Sequence, residues 1–422
     1  MTSTESRNTA DAAGSSMFAS FEVVAFRIIW IGTFLYYLSI FTGIIARGAL
    51  AKELGGTNTA LGLVTLAFGA TSLLCTPIGG VVADRFPKRR VMVASTSLLA
   101  FSSAWLGVTE LFDVTRFWML IVVSAIQAVA FALLVPSRMA YTVELVGPGL
   151  IPNAVALSQV SMNFNRVLGP AVAGAMLGVS TLSYRAIYLS AAVLAVLAMV
   201  CFSFLAPGNP DPNRPNRAPL AEMIEGLNYA RSNTTIRLVM VLAIAITMVG
   251  FPYVAFLPSV SEDFFDAGAA GYARLSLVGA VGGLVAGLYI ARSSLAQGRR
   301  IQFLSALGIG ASLIFLGWAP SFVIAGVAAT LLGASTAGFQ SMNGTMALSA
   351  ADPSLHGRVQ SLLGLGFSAF GLASLPLGIL ADAIGLRATL AMMGAVVIAI
   401  AVSVQLVWIN TDRREAATAG PA

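Results

Sequence analysis

The chain has 422 residues, 57% of them hydrophobic and only 10% Asp, Glu, Lys or Arg, and its mean hydropathy is +0.86. Soluble domains carry about 25% charged residues, so this composition cannot cover a water-facing surface and describes a polytopic membrane protein. Two cysteines, Cys75 and Cys201, and a single histidine, His356, exclude a disulfide framework and a zinc or haem cluster, while the formal charge of +6 reports topology rather than a nucleic-acid partner.

The chain starts with a polar stretch, residues 1–16, that lacks the basic start and short apolar core of a cleaved signal, so residues 1–27 read as a cytoplasmic tail. Crossing roughly 30 Å of hydrocarbon takes about 20 mostly apolar helical residues. Such runs fall near 28–50, 60–82, 91–111, 117–137, 153–179 and 184–205, and again near 236–258, 271–291, 301–318, 321–349, 359–384 and 388–410. Between the two sets, residues 206–235 are rich in Pro and Asn, which break helices and favour turns. The expected architecture is an all-α membrane protein of twelve transmembrane helices in two pseudo-symmetric six-helix halves. Those halves are 28–205 and 236–410, joined by the linker 206–235 and followed by a cytoplasmic tail, 411–422.

Orientation follows from the basic residues. With the N-terminus inside, 17 of the 24 lysines and arginines fall in cytoplasmic segments, Arg138 among them, and five in outer loops. Arg47 and Arg166 lie in or near spans. The halves also resemble each other: GGVVADR at 79–85 is echoed by AGLYIAR at 286–292, and LGPAVAG at 168–174 by SLPLGILA at 374–381. Two such halves form a transporter pattern, with the substrate site expected near the midplane between them.

The loop after the second span reads Gly80-Val-Val-Ala-Asp84-Arg85-Phe86-Pro87-Lys88-Arg89-Arg90. It resembles the signature loop of the major facilitator superfamily, G-x-x-x-D-R-x-G-R-R, with Pro87 where the pattern has Gly. FRIIWIG at 26–32, LGLVTLAFGA at 61–70 and the stretch from Pro136 to Gln159 are similar to the enterobactin-exporter-like branch, which includes siderophore and drug exporters. The resemblance implies the major facilitator fold and a cytoplasmic charge latch built from Gly80, Asp84, Arg85 and Arg89. In it Asp84 faces the start of the eleventh span, where free N–H groups carry partial positive charge. A plainer reading of Lys88, Arg89 and Arg90 is a positive-inside anchor. The matching position in the second half is Ala291, which lacks the acid.

In the fifth span, Asn165 to Gly174 resembles a degraded antiporter motif, G-x-x-x-G-P-x-x-G-G, keeping Gly169, Pro170 and Gly174. The resemblance ties this motif to export by antiport; by composition alone it is a kinked packing helix.

Charges inside spans are costly and usually face a cavity or a partner. Arg166 lies about 20 Å into its span at about 1.5 Å per residue, and is a cavity candidate together with Asn163, Gln127, Tyr37, Phe131, Gln340 and Asn343. For the amides, interhelical hydrogen bonds are the plainer role. Arg47 is expected to reach the outer headgroups with its long stem. No carboxylate sits at the centre of a span, so Asp382 and Glu53 are the candidates for ion coupling, with a local cap near Arg387 as the plainer role for Asp382. Aromatics with a basic residue and no central acid suit a neutral or anionic aromatic compound better than a cation. Glycines at 279, 283 and 287 allow close helix approach.

The expected function is that of a secondary active transporter, not an enzyme. It exports a small, partly apolar molecule such as a drug or siderophore by alternating access with proton antiport. Uptake of a sugar or organic acid is the alternative, and a membrane sensor or enzyme the third. Expected partners are the small-molecule substrate, a coupling proton and the lipid bilayer. No metal, cofactor or nucleic acid is expected, and the chain is expected to work as a monomer. The expected location is the bacterial cytoplasmic membrane, with both termini inside.

Overall fold

A computed structural model describes residues 18–177, 184–208, 228, 229, 231, 233–290, 297–352 and 356–418, with the backbone alone at 234, 356–368, 412 and 414–418. Among the described residues the chain forms thirteen α-helices and no strand. This follows from the solvent: in hydrocarbon every backbone polar group needs an internal partner, which a helix supplies within one segment. In chain order they are α1 (Val24–Gly55), α2 (Asn58–Arg85), α3 (Lys88–Leu111), α4 (Phe117–Val146), α5 (Ile151–Leu177) and α6 (Tyr184–Ser203). There follow α7 (Thr234–Gly250), α8 (Tyr253–Phe265), α9 (Gly268–Ile290), α10 (Gly298–Gly317), α11 (Phe322–Ser349), α12 (His356–Ile384) and α13 (Leu386–Thr418).

Eleven of the twelve expected runs each overlap one helix, and the seventh overlaps two. Ten segments among the described residues are long and apolar enough to cross a membrane. The pair α7–α8 counts as one of them, Thr235–Phe265, and α5 and α12 stand outside the ten. For α5 the reason is visible in its sequence, where Asn153, Gln159, Asn163, Asn165 and Arg166 dilute the apolar run.

Two elements depart from the sequence reading. The seventh run breaks at Phe251-Pro252, because Pro252 has no N–H to continue the ladder; a new helix then carries Glu262 and Asp263 to Phe265. It stops at Asp266, which takes the left-handed conformation (φ 50°). The fourth run, expected to end near 137, continues through Pro136 to Val146. That extension places Arg138 on a helix rather than in a loop.

The chain divides into two compact units: 1–47 with 74–216, and 48–73 with 217–422. The outer part of α1 and most of α2 therefore group with the second unit. In the first unit α3 packs on α4 and α6; in the second, α10 packs on α11 and α13. The same helix pairing thus recurs at the same place in each set, a packing counterpart of the weak internal sequence repeat. The first unit's core gathers Phe26, Tyr36, Tyr37, Leu99, Tyr141 and Phe202. Hydrogen bonds tie α1 to its neighbours there: Trp30 Nε1 donates to the Leu157 carbonyl (3.0 Å) and Ser39 Oγ to the Ala191 carbonyl (2.8 Å).

Candidate functional site

The loop between α2 and α3 is a sharp turn of two residues, Phe86 and Pro87, with Pro87 standing immediately before the first turn of α3. A helix start leaves N–H groups without intrahelical partners. Here the segment after α6 supplies them: the Lys88 and Arg89 amides donate to the Gly208 and Pro207 carbonyls at 3.0 and 3.2 Å. Arg89 adds a guanidinium bond to the Leu205 carbonyl (3.1 Å), and Tyr141 Oη donates to the Ala206 carbonyl (2.6 Å). Lys88 is buried and pairs with Glu144 of α4 at 2.8 Å. Lys88 and Arg89 are therefore braces of the first unit as well as members of the charged loop. Asp84 and Arg85 are exposed at the end of α2. A Cβ at Gly80 meets nothing within 4 Å among the described residues, whereas at Gly79 it would run into the Ala132 carbonyl of α4. Ala291, the second-half counterpart, lies outside the described residues, as does the side chain of His356.

On α4, Gln127, Phe131 and Arg138 share one face, being four and then seven residues apart. Eleven residues span about 16 Å along a helix at about 1.5 Å each. Helix α1 meets this face at both ends. At one, the guanidinium of Arg47 donates to Gln127 Oε1, and Gln127 Nε2 lies 3.5 Å from Ser102 Oγ. Arg47 is only 8% exposed, so it does not reach for headgroups as its position suggested: the buried amide across the helix interface holds it instead. At the other end, Arg138 Cζ sits 5.9 Å above the ring of Tyr37. Arg138 and Tyr37 are both buried, and Tyr37 in turn lies beside Phe41, with ring centroids 6.3 Å apart. Phe131 is half-buried against the same core.

Helix α5 runs without a break through Pro170. At Gly169 it lies directly on α1: a Cβ there would come within 2.5 Å of Phe41 Cβ and 3.0 Å of the Thr42 amide nitrogen. Pro170 is buried and Gly174 half-buried on the same helix. Among the polar candidates of α5, Arg166 is half-buried and Asn163 exposed. Asn165 is fully buried, its amide turned back on the Ser161 carbonyl (2.9 Å).

In the second unit Asn343 of α11 accepts from Gln302 Nε2 of α10 at 2.9 Å, both side chains buried. This is the interhelical bond that was the plainer reading of Asn343. Gln340 stands half-buried one turn earlier. Asp382, near the end of α12, accepts four hydrogen bonds from the first two residues of α2. Its Oδ1 takes the Asn58 amide and Nδ2 at 2.9 and 3.0 Å, and its Oδ2 the Thr59 amide and Oγ1 at 2.8 and 2.6 Å. It is thus a cap, but of α2 and not of its own end. Arg387, its expected neighbour, instead donates to the Gly317 carbonyl (2.8 Å) and lies 4.1 Å above the Phe264 ring. Close by in sequence, Lys52 pairs with Asp263 at 2.8 Å while Glu53 is exposed.

The structure therefore joins Tyr37 to Arg138, Gln127 to Arg47, and Asn343 to Gln302. Sequence reading missed Arg138 and Gln302. Arg138 was hidden by Pro136, which looked like a helix end; its spacing from Gln127 and Phe131 was the available signal. Gln302 follows two arginines and looked like part of a cytoplasmic start.

The described residues form apolar helices with repeated packing in the two units and buried polar pairs, the make-up of a polytopic membrane protein. The chain belongs to the Major Facilitator Superfamily, whose family model matches residues 29–371. It is 25% identical over 394 residues to macrolide efflux protein A of Streptococcus pyogenes, covering 89% of this chain and 94% of that protein. It is 22% identical over 343 residues to the enterobactin exporter EntS of Shigella boydii, covering 80% of each. Among solved structures, the nucleoside transporter NupG superposes with a TM-score of 0.72 at 12% identity, covering 91% of this chain and 99% of that one, which shows the shared fold.

Proposed function

We propose that this chain is a proton-driven exporter of a small, partly apolar molecule of the drug or siderophore kind. It would work in the bacterial cytoplasmic membrane with both termini inside, by alternating access between the halves 28–205 and 236–410. The observation that favours export over uptake is the Gly169-Pro170 element of α5, seated backbone to backbone on Phe41 and Thr42 of α1. Close packing at a Gly-Pro step on a cavity-forming helix is what the antiporter motif requires, and Asn165 in place of its first glycine is buried and internally bonded. The names of the two relatives above, an efflux protein and an exporter, support the same direction.

In this reading Asp84 and Arg85 form the cytoplasmic latch, with Gly80 leaving room for it. A latch made in one access state and broken in the other biases the equilibrium between them. Arg89 contributes by fixing the loop through Leu205. Arg166, Asn163 and Gln340 are proposed to line the substrate path, Arg166 being too deep in α5 to act as a headgroup anchor. Asp382 and Glu53 are the carboxylates proposed for proton coupling, Asp382 through breaking and remaking its contacts with α2.

Everted membrane vesicles test the coupling directly. After respiration acidifies their interior, a transported compound makes protons leave, read as recovery of a quenched pH dye. Recovery that depends on the compound and on Asp84 supports antiport. A compound that moves with no proton signal removes it.

A further inference from the structure

We infer that Arg138, beside the Tyr37 ring, is the anion-recognising residue of the substrate site, so that the transported molecule carries a carboxylate or similar oxyanion on an aromatic or apolar body. This rests on the export reading above and names its substrate class. Arg138 is 4% exposed, and its Nε is enclosed and makes no hydrogen bond. Among the described residues it has neither an acidic partner nor a hydrogen-bond acceptor, only the face of Tyr37 at 5.9 Å. The fold treats the unit's other buried cations differently: Lys88 is paired with Glu144, and Arg47 is held by Gln127. A buried charge without a partner opposes folding, and within a membrane such charges mark substrate or ion pathways.

The chemistry that Arg138 would recognise follows from its side chain. Guanidinium keeps its charge at any pH the cell reaches and presents a planar edge that binds an oxyanion through two parallel hydrogen bonds. Tyr37 lies 5.9 Å from Cζ, and no described residue accepts a hydrogen bond from the enclosed Nε. Thr33, one helical turn before Tyr37 on the same face of α1, adds a buried hydroxyl that also lacks a partner. Tyr37, Phe41 and Phe131 supply flat apolar surface beyond the charge. The set accepts an anion with an aromatic body and repels a cation.

Three probes with one aromatic body separate the terms: 2-naphthoate, 2-naphthamide and (2-naphthylmethyl)ammonium. Their binding is measured on the full-length protein in lipid nanodiscs for wild type, Arg138→Gln and Arg138→Lys. The expected result is that wild type prefers the carboxylate, and that Arg138→Gln weakens it by about 10-fold to 100-fold, the range for a charge-assisted bond, while the amide is unchanged. Arg138→Lys retains part of the preference. Arg138→Gln without ligand melts at the same temperature or higher, because an unpaired buried charge is gone. A purely structural brace predicts the opposite, a lower melting temperature and equal losses for carboxylate and amide, and that pattern overturns the proposal. Failure of wild type to bind naphthoate at millimolar concentration, or tighter binding of the ammonium, also overturns it. Arg138-dependent binding without proton-linked movement in vesicles would keep the subsite and remove the export reading. Proton-linked export of the amide, equal in wild type and Arg138→Gln, would do the reverse.

Discussion

Gly79 and Gly80 show how far a motif can stand from the residue that packing requires. The signature pattern points to Gly80, yet it is Gly79 whose added methyl would strike the Ala132 carbonyl. Overpacking against a neighbouring backbone costs about 1–3 kcal/mol. Gly79→Ala is therefore expected to lower the melting temperature in detergent, whereas Gly80→Ala leaves it unchanged. A loss of transport in Gly80→Ala with unaltered melting would then assign Gly80 to movement between states. Equal melting losses in both variants would contradict the assignment. The ion pair of Lys88 with Glu144 belongs to the same scale, and with Glu144 half open to solvent its coupling is expected to be about 0–1 kcal/mol. A double-mutant cycle on Lys88→Ala and Glu144→Ala reads that coupling. Residue roles were the least legible part of the sequence. Arg138 and Arg47 were assigned by their distance from an estimated span end, but burial and partners decide what a long cation does, and both come from helices distant in sequence.

At the scale of elements, two junctions carry testable weight. The N-terminus of α2 is capped by a carboxylate 323 residues away in the chain, on α12. Removing a helix N-cap costs about 0.5–2 kcal/mol, and a carboxylate at that end also meets the helix dipole favourably. Asp382→Ala is thus expected to speed hydrogen exchange at the Asn58 and Thr59 amides, and Asp382→Asn to do so less, since an amide oxygen still accepts. Unchanged exchange in both would show that the cap does not hold the helix start. The second junction is Gly208, at φ +60°, whose carbonyl accepts the Lys88 amide and whose Cα faces the Tyr141 ring. Any side chain there is strained in backbone and in space, so Gly208→Val is expected to lower the melting temperature and to unpin the start of α3. Apolar run length located the helices, and ten segments among the described residues are long and apolar enough to cross a membrane. Run length did not locate the helix ends, because Pro136 is tolerated within α4 while Pro252 ends α7, and only the packed neighbours distinguish the two.

For the whole molecule, composition alone gave the class and the loop at 80–90 gave the family, since few other signals pack so many charges at a helix junction. The packing pairs that recur between α3–α4–α6 and α10–α11–α13 make the repeat plainer than the sequence did. The 17-to-5 distribution of basic residues predicts both termini inside. One of the 17, Arg138, proves to be buried on a helix and so says nothing about topology; 16 against five still favours the same orientation.

Proton-driven export is the central claim, and net accumulation in living cells tests it most directly. An efflux-deficient bacterial host expressing wild type or Asp84→Asn at matched levels would be exposed to a panel of dyes, macrolides, aromatic carboxylates and siderophores, with and without a protonophore. The account predicts lower accumulation of at least one compound with wild type, restored both by the protonophore and by Asp84→Asn. Higher accumulation with wild type than with empty vector, abolished by the protonophore, would reverse the direction and contradict it.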